Sequence, residues 1–596
     1  MKTENIALTK AQESRNAIER LYIEMRHLFN RGVYKPSGIT GNEVRASLRT
    51  LSPEIYGSMN DPRKVELNGI VYVMDRLPKG IEECSFIKFT SEEGFEESNF
   101  EPIIPLKRRR NCYRIDKKQV NIEVTRGRSE IYDALTHLTF LFNEAEKIRK
   151  NAYDEDGKAS REWNELEKIV IEGNHPTEQT IDKAFTYLST ILGRTFEETK
   201  QAYHRLAENP GHNNGLFNIV YWLGKLASTE NSERDIHDRE ISFTPTLRER
   251  IGRHIHGERW AANIKKTLLE AGLIDRPIHI ISANLHSVIN CLYAYPALKE
   301  SFEESKNIEQ LATELSKEEN DHLRDIVDKY ARSHGMIFLP DSSGTNLSVQ
   351  IIDTSKLIVS KLPPEIHCDK EFIREKRPII VVMDYAFGEQ AYETMDELLK
   401  PLTTDEEPGS SILMPIESIS IMGKAGILEG GKGDIMIPTA HVFEGTADNY
   451  PFQNEFSKED FAEMECCVCV GPMITVLGTS LQNRDVLSYF KNSSWQAIGL
   501  EMEGAHYQKA IQAETMIRKN ISQDIVLRYA YYASDNPLET GSTLASGSLG
   551  LIGIKPTYLI TRQILNKILK PKNSQISEGK NKKKPESVHH NEKSVL

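Results

Sequence analysis

Glu501, Met502 and Glu503 set two carboxylates around one flexible thioether, directly after the apolar run 497–500 and directly before helix-like sequence from Gly504 to Gln512. Open α/β sheets hand groups to a ligand in this way, at the carboxyl ends of their strands. A solvated strand end accounts equally well for Glu501 taken singly. Three other places share the form. Residues 383–390, MDYAFGEQ, lead from a strand through a Gly-containing loop into a helix, which leaves Asp384 and Glu389 near the helix start. Acids there also serve as plain partners of the helix dipole. Residues 422–439, MGKAGILEGGKGDIMIPT, read as a strand, a glycine-rich turn and a second strand opened by Asp434. Glycines in such a turn, Gly423 and Gly426 among them, let backbone amides approach a ligand oxygen. Residues 533–537, ASDNP, follow the strand 525–532 and place Ser534 and Asp535 on its outgoing loop.

The elements that must position these groups alternate short β-branched runs with helices, the pattern of an α/β sheet with crossover helices. Strands are expected at 378–383, 418–422, 434–438, 467–470, 497–500 and 525–533, and helices at 390–400 and 484–491. Pro363 and Pro364 mark the boundary before them. Upstream the texture differs. Ile18, Leu21, Tyr22, Met25, Leu28 and Phe29 recur at helical spacing across 9–31, an amphipathic helix expected to pack within the N-terminal region. Residues 68–124 carry alternating runs such as 69–74 and 85–89, broken by Gly and Pro, and read as a small β-containing insertion. The basic run 107–110 inside it reads as a solvated edge, with anion binding as the alternative. From 128 to about 330 helical periodicity dominates. His254 and His256, with Glu258 nearby, invite a metal, but alternate spacing on a helix points the imidazoles apart, whereas helical zinc pairs sit one turn apart. They read as surface or capping histidines, His279 and His286 likewise.

A chain of 596 residues exceeds one core. A net charge of -12 offers no basic face for nucleic acid and leaves small molecules, phosphate-bearing ones included, as partners. The polar N-terminus lacks a signal core, and no stretch approaches the ~20 apolar residues that cross a bilayer, so a cytoplasmic protein is expected. Of seven cysteines, Cys466, Cys467 and Cys469 sit in an apolar strand-like run away from ligand spacing and are expected as buried free thiols. No metal or cofactor is expected. Residues 571–596, rich in Lys, Ser, Asn and Glu, read as a disordered tail. The Gly- and Ser-rich stretch 541–553 is either a lid or a flexible crossover.

The ordered set GKAGILEGGKGDIMIPT, AIGLEMEGA and ASDNP resembles the nucleoside phosphorylase and nucleosidase superfamily, whose members show a G-x-x-G turn followed by a G-D strand, an E-M-E segment and a final S-D loop. Over 378–569 the chain looks closest to AMP nucleosidase and methylthioadenosine nucleosidase, and GTSLQNRD at 478–485 looks like the middle of the AMP nucleosidase catalytic domain. The resemblance implies a three-layer α/β/α catalytic domain over 370–570, preceded by a mainly helical region, 1–365, whose function it leaves open. It implies that Glu503 accepts hydrogen bonds from the ribose hydroxyls, Met502 packs on the sugar and Glu501 supports them. Asp535 would protonate the imidazole-ring nitrogen of a departing purine, with Ser534 orienting it; Gly423, Lys424, Gly426 and Thr479 fall on the substrate side. Such N-glycosidic cleavage builds positive charge on the ribose and negative charge on the base, and the two acids serve opposite ends of that separation. Phosphorylases of the family carry an Arg two residues before the first glycine of the turn and a Ser just after it, where Ile421 and Lys424 stand here. The expected nucleophile is therefore water with Glu389 as base, phosphate being the alternative; Lys424 would suit a phosphate carried by a nucleotide such as AMP. The family's habit implies a homo-oligomer. A non-catalytic nucleoside sensor and a bifunctional enzyme with a second activity in the N-terminal region also fit the sequence.

Overall fold

The computed structural model describes residues 9–108, 110–174, 176–232, 239–302, 306–403, 411–446, 448–462, 467–540 and 549–571. Arg109, Cys466, most of the stretch 541–553 and the tail from 572 onward, on which expectations were placed, lie outside the described residues.

The N-terminal helix forms where its spacing predicts, at Lys10–Arg31, started by a reciprocal capping box between Thr9 and Gln12 and stopped by Gly32 in the left-handed region. It does not keep to the N-terminal region. The Arg15 guanidinium lies over the rings of Tyr489 and Phe490 on the helix Arg484–Asn492, and the apolar cluster holding Ile18, Leu21 and Met25 continues to Leu500 and Met502. Its apolar stripe is wide enough to be buried against both parts of the chain, so the expected division near residue 365 does not separate two cores.

Six short strands of the N-terminal region form one sheet: β1 (Val33–Tyr34), β2 (Phe86–Thr90), β3 (Pro102–Ile103), β4 (Cys112–Arg114), β5 (Gln119–Glu123) and β6 (Glu240–Phe243), in the order β1-β6-β2-β5-β4-β3. β1 and β6 therefore join the expected insertion from outside it. Residues 69–74 are not a strand but part of the helix Leu67–Met74, begun by Glu66, whose carboxylate accepts the Asn68 N–H. A short continuous apolar run fits either element, and burial on every side favours the helix here.

The second sheet is larger. It is built from β7 (Ile278–Ser282), β8 (Met336–Leu339), β9 (Val349–Asp353) and β10 (Ile379–Met383), then, after a separate pair β11 (Leu402–Thr403) and β12 (Ser411–Ile412), from β13 (Ile416–Ile427), β14 (Ile435–Phe443), β15 (Asn449–Pro451), β16 (Val468–Thr475), β17 (Gly499–Glu501) and β18 (Val526–Asp535). The order is β15-β14-β16-β17-β13-β7-β10-β9-β8, with β18 against both β13 and β14. Every strand expected downstream of Pro364 is present, several longer than their β-branched cores. The sheet nevertheless begins upstream of that proline pair rather than at 370. β7 pairs in parallel with both β10 and β13, and its five residues are all buried, so the sheet lacks its middle without it.

Along the central strands alternate residues enter separate cores, as a period of two requires. Ile379, Val381 and Met383 pack with Trp260, Met395 and Tyr507 from the helices Ile255–Glu270, Gln390–Leu399 and Gly504–Gln512. Ile380 and Val382 pack on the other side with Val288, Leu311, Val327 and Ile560. Helices thus cover both faces and leave the strand ends to the loops.

Candidate active site

β17 ends at Glu501, which is 2% exposed. Its carboxylate accepts the Thr475 hydroxyl from the end of β16 at 2.5 Å, the Glu503 N–H at 2.5 Å and the Gly504 N–H. Glu501 therefore ties the E-M-E segment back onto the strand end, and burial pushes its carboxyl up to about 7. Glu503 points elsewhere. Its Oε1 accepts the Gly388 N–H at 2.9 Å, from the loop that follows β10. Burial, then the neighbouring Glu501 charge, push the Glu503 carboxyl up to about 8. Met502 is buried, with its Cε within 3.9 Å of where a side chain on Gly388 would begin.

Asp535 closes β18. In register, Gly426 of β13 faces Leu500 of β17 on one edge and Asp535 of β18 on the other. Three strands abreast thus bring the E-M-E and S-D ends together, two strand spacings or roughly 10 Å apart. The Ser534 hydroxyl lies 2.6 Å from Asp535 Oδ1 and 3.1 Å from the Ala425 carbonyl. Ser534 is the donor to both, so its one proton is shared between the Ala425 carbonyl and Asp535 Oδ1. Asp535 Oδ2 is buried without a hydrogen-bond partner among the described residues. Burial raises the Asp535 pKa, against the Ser534 bond and the charges of Lys424 and Lys432. A buried carboxyl with a raised pKa and one unpartnered oxygen is equipped to give a proton to a ligand.

The glycines of GKAG are strand rather than turn, which corrects their expected place: Gly423, Lys424 and Gly426 belong to β13, which runs to Ile427. β13 and β18 pair from Ser418 to Gly426, with a register shift between Ala425 and Gly426 that passes over Ser534. The turn comes later, with Gly430 and Gly433 at positive φ and the Asp434 carboxylate accepting the N–H groups of Gly431 (2.7 Å) and Cys467 (3.0 Å). It adjoins the S-D loop, since the Asn536 side chain donates to the Gly430 carbonyl at 3.1 Å. Lys424 is exposed, close enough to Asp535 for its charge to be felt.

Thr479 sits in a short turn, 3.3 Å from the Tyr72 hydroxyl, and Asn483 of the same segment donates to the Leu51 carbonyl. GTSLQNRD is thus docked on the N-terminal region. Glu389 pairs with Arg128 at 3.0 Å, and its N–H donates to Ser129 Oγ at 2.8 Å. It lines a cavity of about 410 Å³ with Tyr22 and Arg26 of the N-terminal helix, Glu444, Thr475 and His506; neither Glu503 nor Asp535 belongs to that wall. The structure therefore brings Glu501, Met502, Glu503 and Asp535 to the ends of the two strands that flank β13 and sets Glu389 on a neighbouring space. Sequence reasoning did not find Thr475, Gly388, Arg128 or Ser129. Only Gly388 carried a signal, as the glycine of a loop that needs positive φ.

His286 is exposed and His254 caps a helix, as expected, but His256 and His279 are not surface residues. His256 is buried, bonded to Ser91 Oγ at 3.0 Å and to the Ser343 carbonyl at 2.8 Å; His279 is buried against Ser418 Oγ at 2.7 Å. His254 takes a left-handed position at a helix start. Among the described residues no three His, Cys, Asp or Glu side chains converge as metal ligands. Cys467 is exposed rather than buried and Cys469 half-buried, because they lie at the open start of β16. No described helix is long and apolar enough to cross a membrane.

Residues 45–328 and 311–570 match a family of unknown function, DUF6909, and the chain belongs to that family. No curated protein matches it. Among solved structures, it shows 12% identity to the Campylobacter jejuni 5′-methylthioadenosine/S-adenosyl homocysteine nucleosidase, over 50% of this chain and 99% of that one, with a TM-score of 0.30. With the native futalosine hydrolase of Helicobacter pylori the identity is 11%, over 49% and 98% of the two chains, with a TM-score of 0.28.

Proposed function

We propose that this protein cleaves the N-glycosidic bond of a purine nucleoside or nucleotide and releases the free base. Asp535 protonates the departing base, and Glu503 holds the ribose. The observation that carries the reading is Asp535 itself: 1% exposed, bonded through one oxygen to Ser534, with the other oxygen buried and unpartnered at the end of a strand beside the E-M-E segment. As the bond breaks, negative charge collects on the base and the raised acid hands over its proton. Positive charge collects on the sugar and favours the ionised form of Glu503, so attraction there is stronger in the transition state than in the bound substrate. Met502 supplies an apolar contact for the sugar.

Water is the proposed nucleophile, because Ile421 stands where a phosphate-binding arginine would serve a phosphorylase. Glu389 is the proposed base for it, and Glu389→Gln tests that role separately from Asp535. Lys424 is the group proposed to meet a substrate phosphate.

The test is a release assay on the purified chain with AMP, adenosine, inosine and methylthioadenosine, each with and without inorganic phosphate. Free base without added phosphate is the expected result. Release only with phosphate would assign a phosphorylase, and no base from any of the four would leave the nucleoside sensor as the surviving reading.

A further inference from the structure

Arg108 of the basic run and Ser129 at the start of the helix Arg128–Ala152 have no part in the chemistry above, yet both touch the loop that follows β10. Lys107 is exposed, as a solvated edge requires, but Arg108 and Arg110 are not. Arg108 makes two bonds to the Asp133 carboxylate, at 2.8 and 2.9 Å, and the buried Arg110 adds a third at 3.0 Å. Arg126 pairs with the buried Glu130 at 2.8 Å. Held by these two acids, the guanidinium groups of Arg108 and Arg126 lie over the Phe387 ring, 5.5 and 5.4 Å from its centroid.

Phe387 is followed by Gly388, at φ +56°, and any side chain there would meet Ser129 Oγ at 2.5 Å. That same hydroxyl accepts the Glu389 N–H, and Arg128 pairs with the Glu389 carboxylate. Three consecutive residues of the loop are thus gripped from one side by the N-terminal region. The free face of Gly388 carries the N–H that holds Glu503 Oε1.

We propose that the N-terminal region is a positioning cradle for Glu503: Arg108, Arg126 and Ser129 fix the loop 384–389, and the Gly388 amide of that loop fixes the carboxyl that holds the ribose. The inference rests on the glycosidase reading for its effect on rate, but the relay itself is a matter of geometry. Ser129, Arg108 and Arg126 are positioning residues. They make no contact with the reacting atoms, and a misplacement of about 1 Å passed to such a group costs on the order of a hundredfold in rate.

The experiment pairs Ser129→Ala with the conservative Ser129→Thr, and adds Phe387→Leu, which keeps apolar bulk but removes the ring. Hydrogen exchange at the Gly388 amide is measured in the full-length protein alongside kcat and KM for base release. In Ser129→Ala and Phe387→Leu, Gly388 exchange should rise at least about tenfold, with kcat down about tenfold to a hundredfold and KM within about twofold, while amides of β10 stay protected. Ser129→Thr should restore both. An unchanged Gly388 amide overturns the proposal. So does faster exchange with unchanged kcat, which would make the contact a plain packing surface. If the wild-type chain releases no base, the glycosidase reading fails on its own, and Gly388 exchange alone then upholds or overturns the relay.

Discussion

Asp133 and Asp535 are both buried aspartates, and their pKa values are moved in opposite directions. Burial, the largest influence on each, pushes both upward. At Asp133 the charge and bonds of Arg108 overcome it and hold the carboxyl well below the usual range. Asp535 has one hydroxyl and two more distant lysines against the same burial, and its pKa ends raised. The first is saturated by three arginine bonds; the second keeps an oxygen with no partner among the described residues. Depth does not decide what a buried acid is for. Donors fixed by the fold make it a strut, and their absence leaves it able to act on a ligand.

The sharpest way to break this comparison is to neutralise each aspartate in turn. Asp535→Asn should lower base release by about a hundredfold to ten-thousandfold, the range that general acid catalysis supplies, while the denaturant midpoint holds or rises. Asp133→Asn should leave Arg108 and Arg110 buried and uncompensated and cost about 3–5 kcal/mol in denaturant unfolding. The opposite pattern, with Asp133→Asn inactive yet stable and Asp535→Asn unstable, would exchange the two roles.

A smaller effect follows from three other buried acids. Burial pushes Glu444 and Glu503 up to about 8 and Glu501 up to about 7, from an ordinary value of 4.5. Between those values the folded protein holds protons that the unfolded chain gives up. The stability they contribute is fully present below about pH 4.5 and is lost as pH rises through 7 to 8. The thermal midpoint should therefore fall from pH 6 to pH 8.5, and Glu444→Gln should flatten part of that slope. A midpoint that is flat or rises with pH across this window would show that these three carboxyls do not hold their protons in the folded protein, since acids such as Asp133, held low, change stability only below about pH 4.

The sequence by itself determined the local elements and the chemical vocabulary of the site. The 3.6-residue stripe of the first helix, the β-branched runs from 378 to 533 and the acids at their ends are all encoded within a few neighbouring residues. Periodicity and turn chemistry act at that range. Tertiary structure decided which charges are struts and which are free to act. Arg108 meets Asp133 across 25 residues, and Ser129 meets Glu389 across 260. Nothing near 107–110 shows whether that run faces water or a buried carboxylate. The same distance hid β7 in the middle of the large sheet and the cradle behind Glu503. A local pattern can specify an element, but whether a charge is neutralised depends on which distant groups the fold brings beside it.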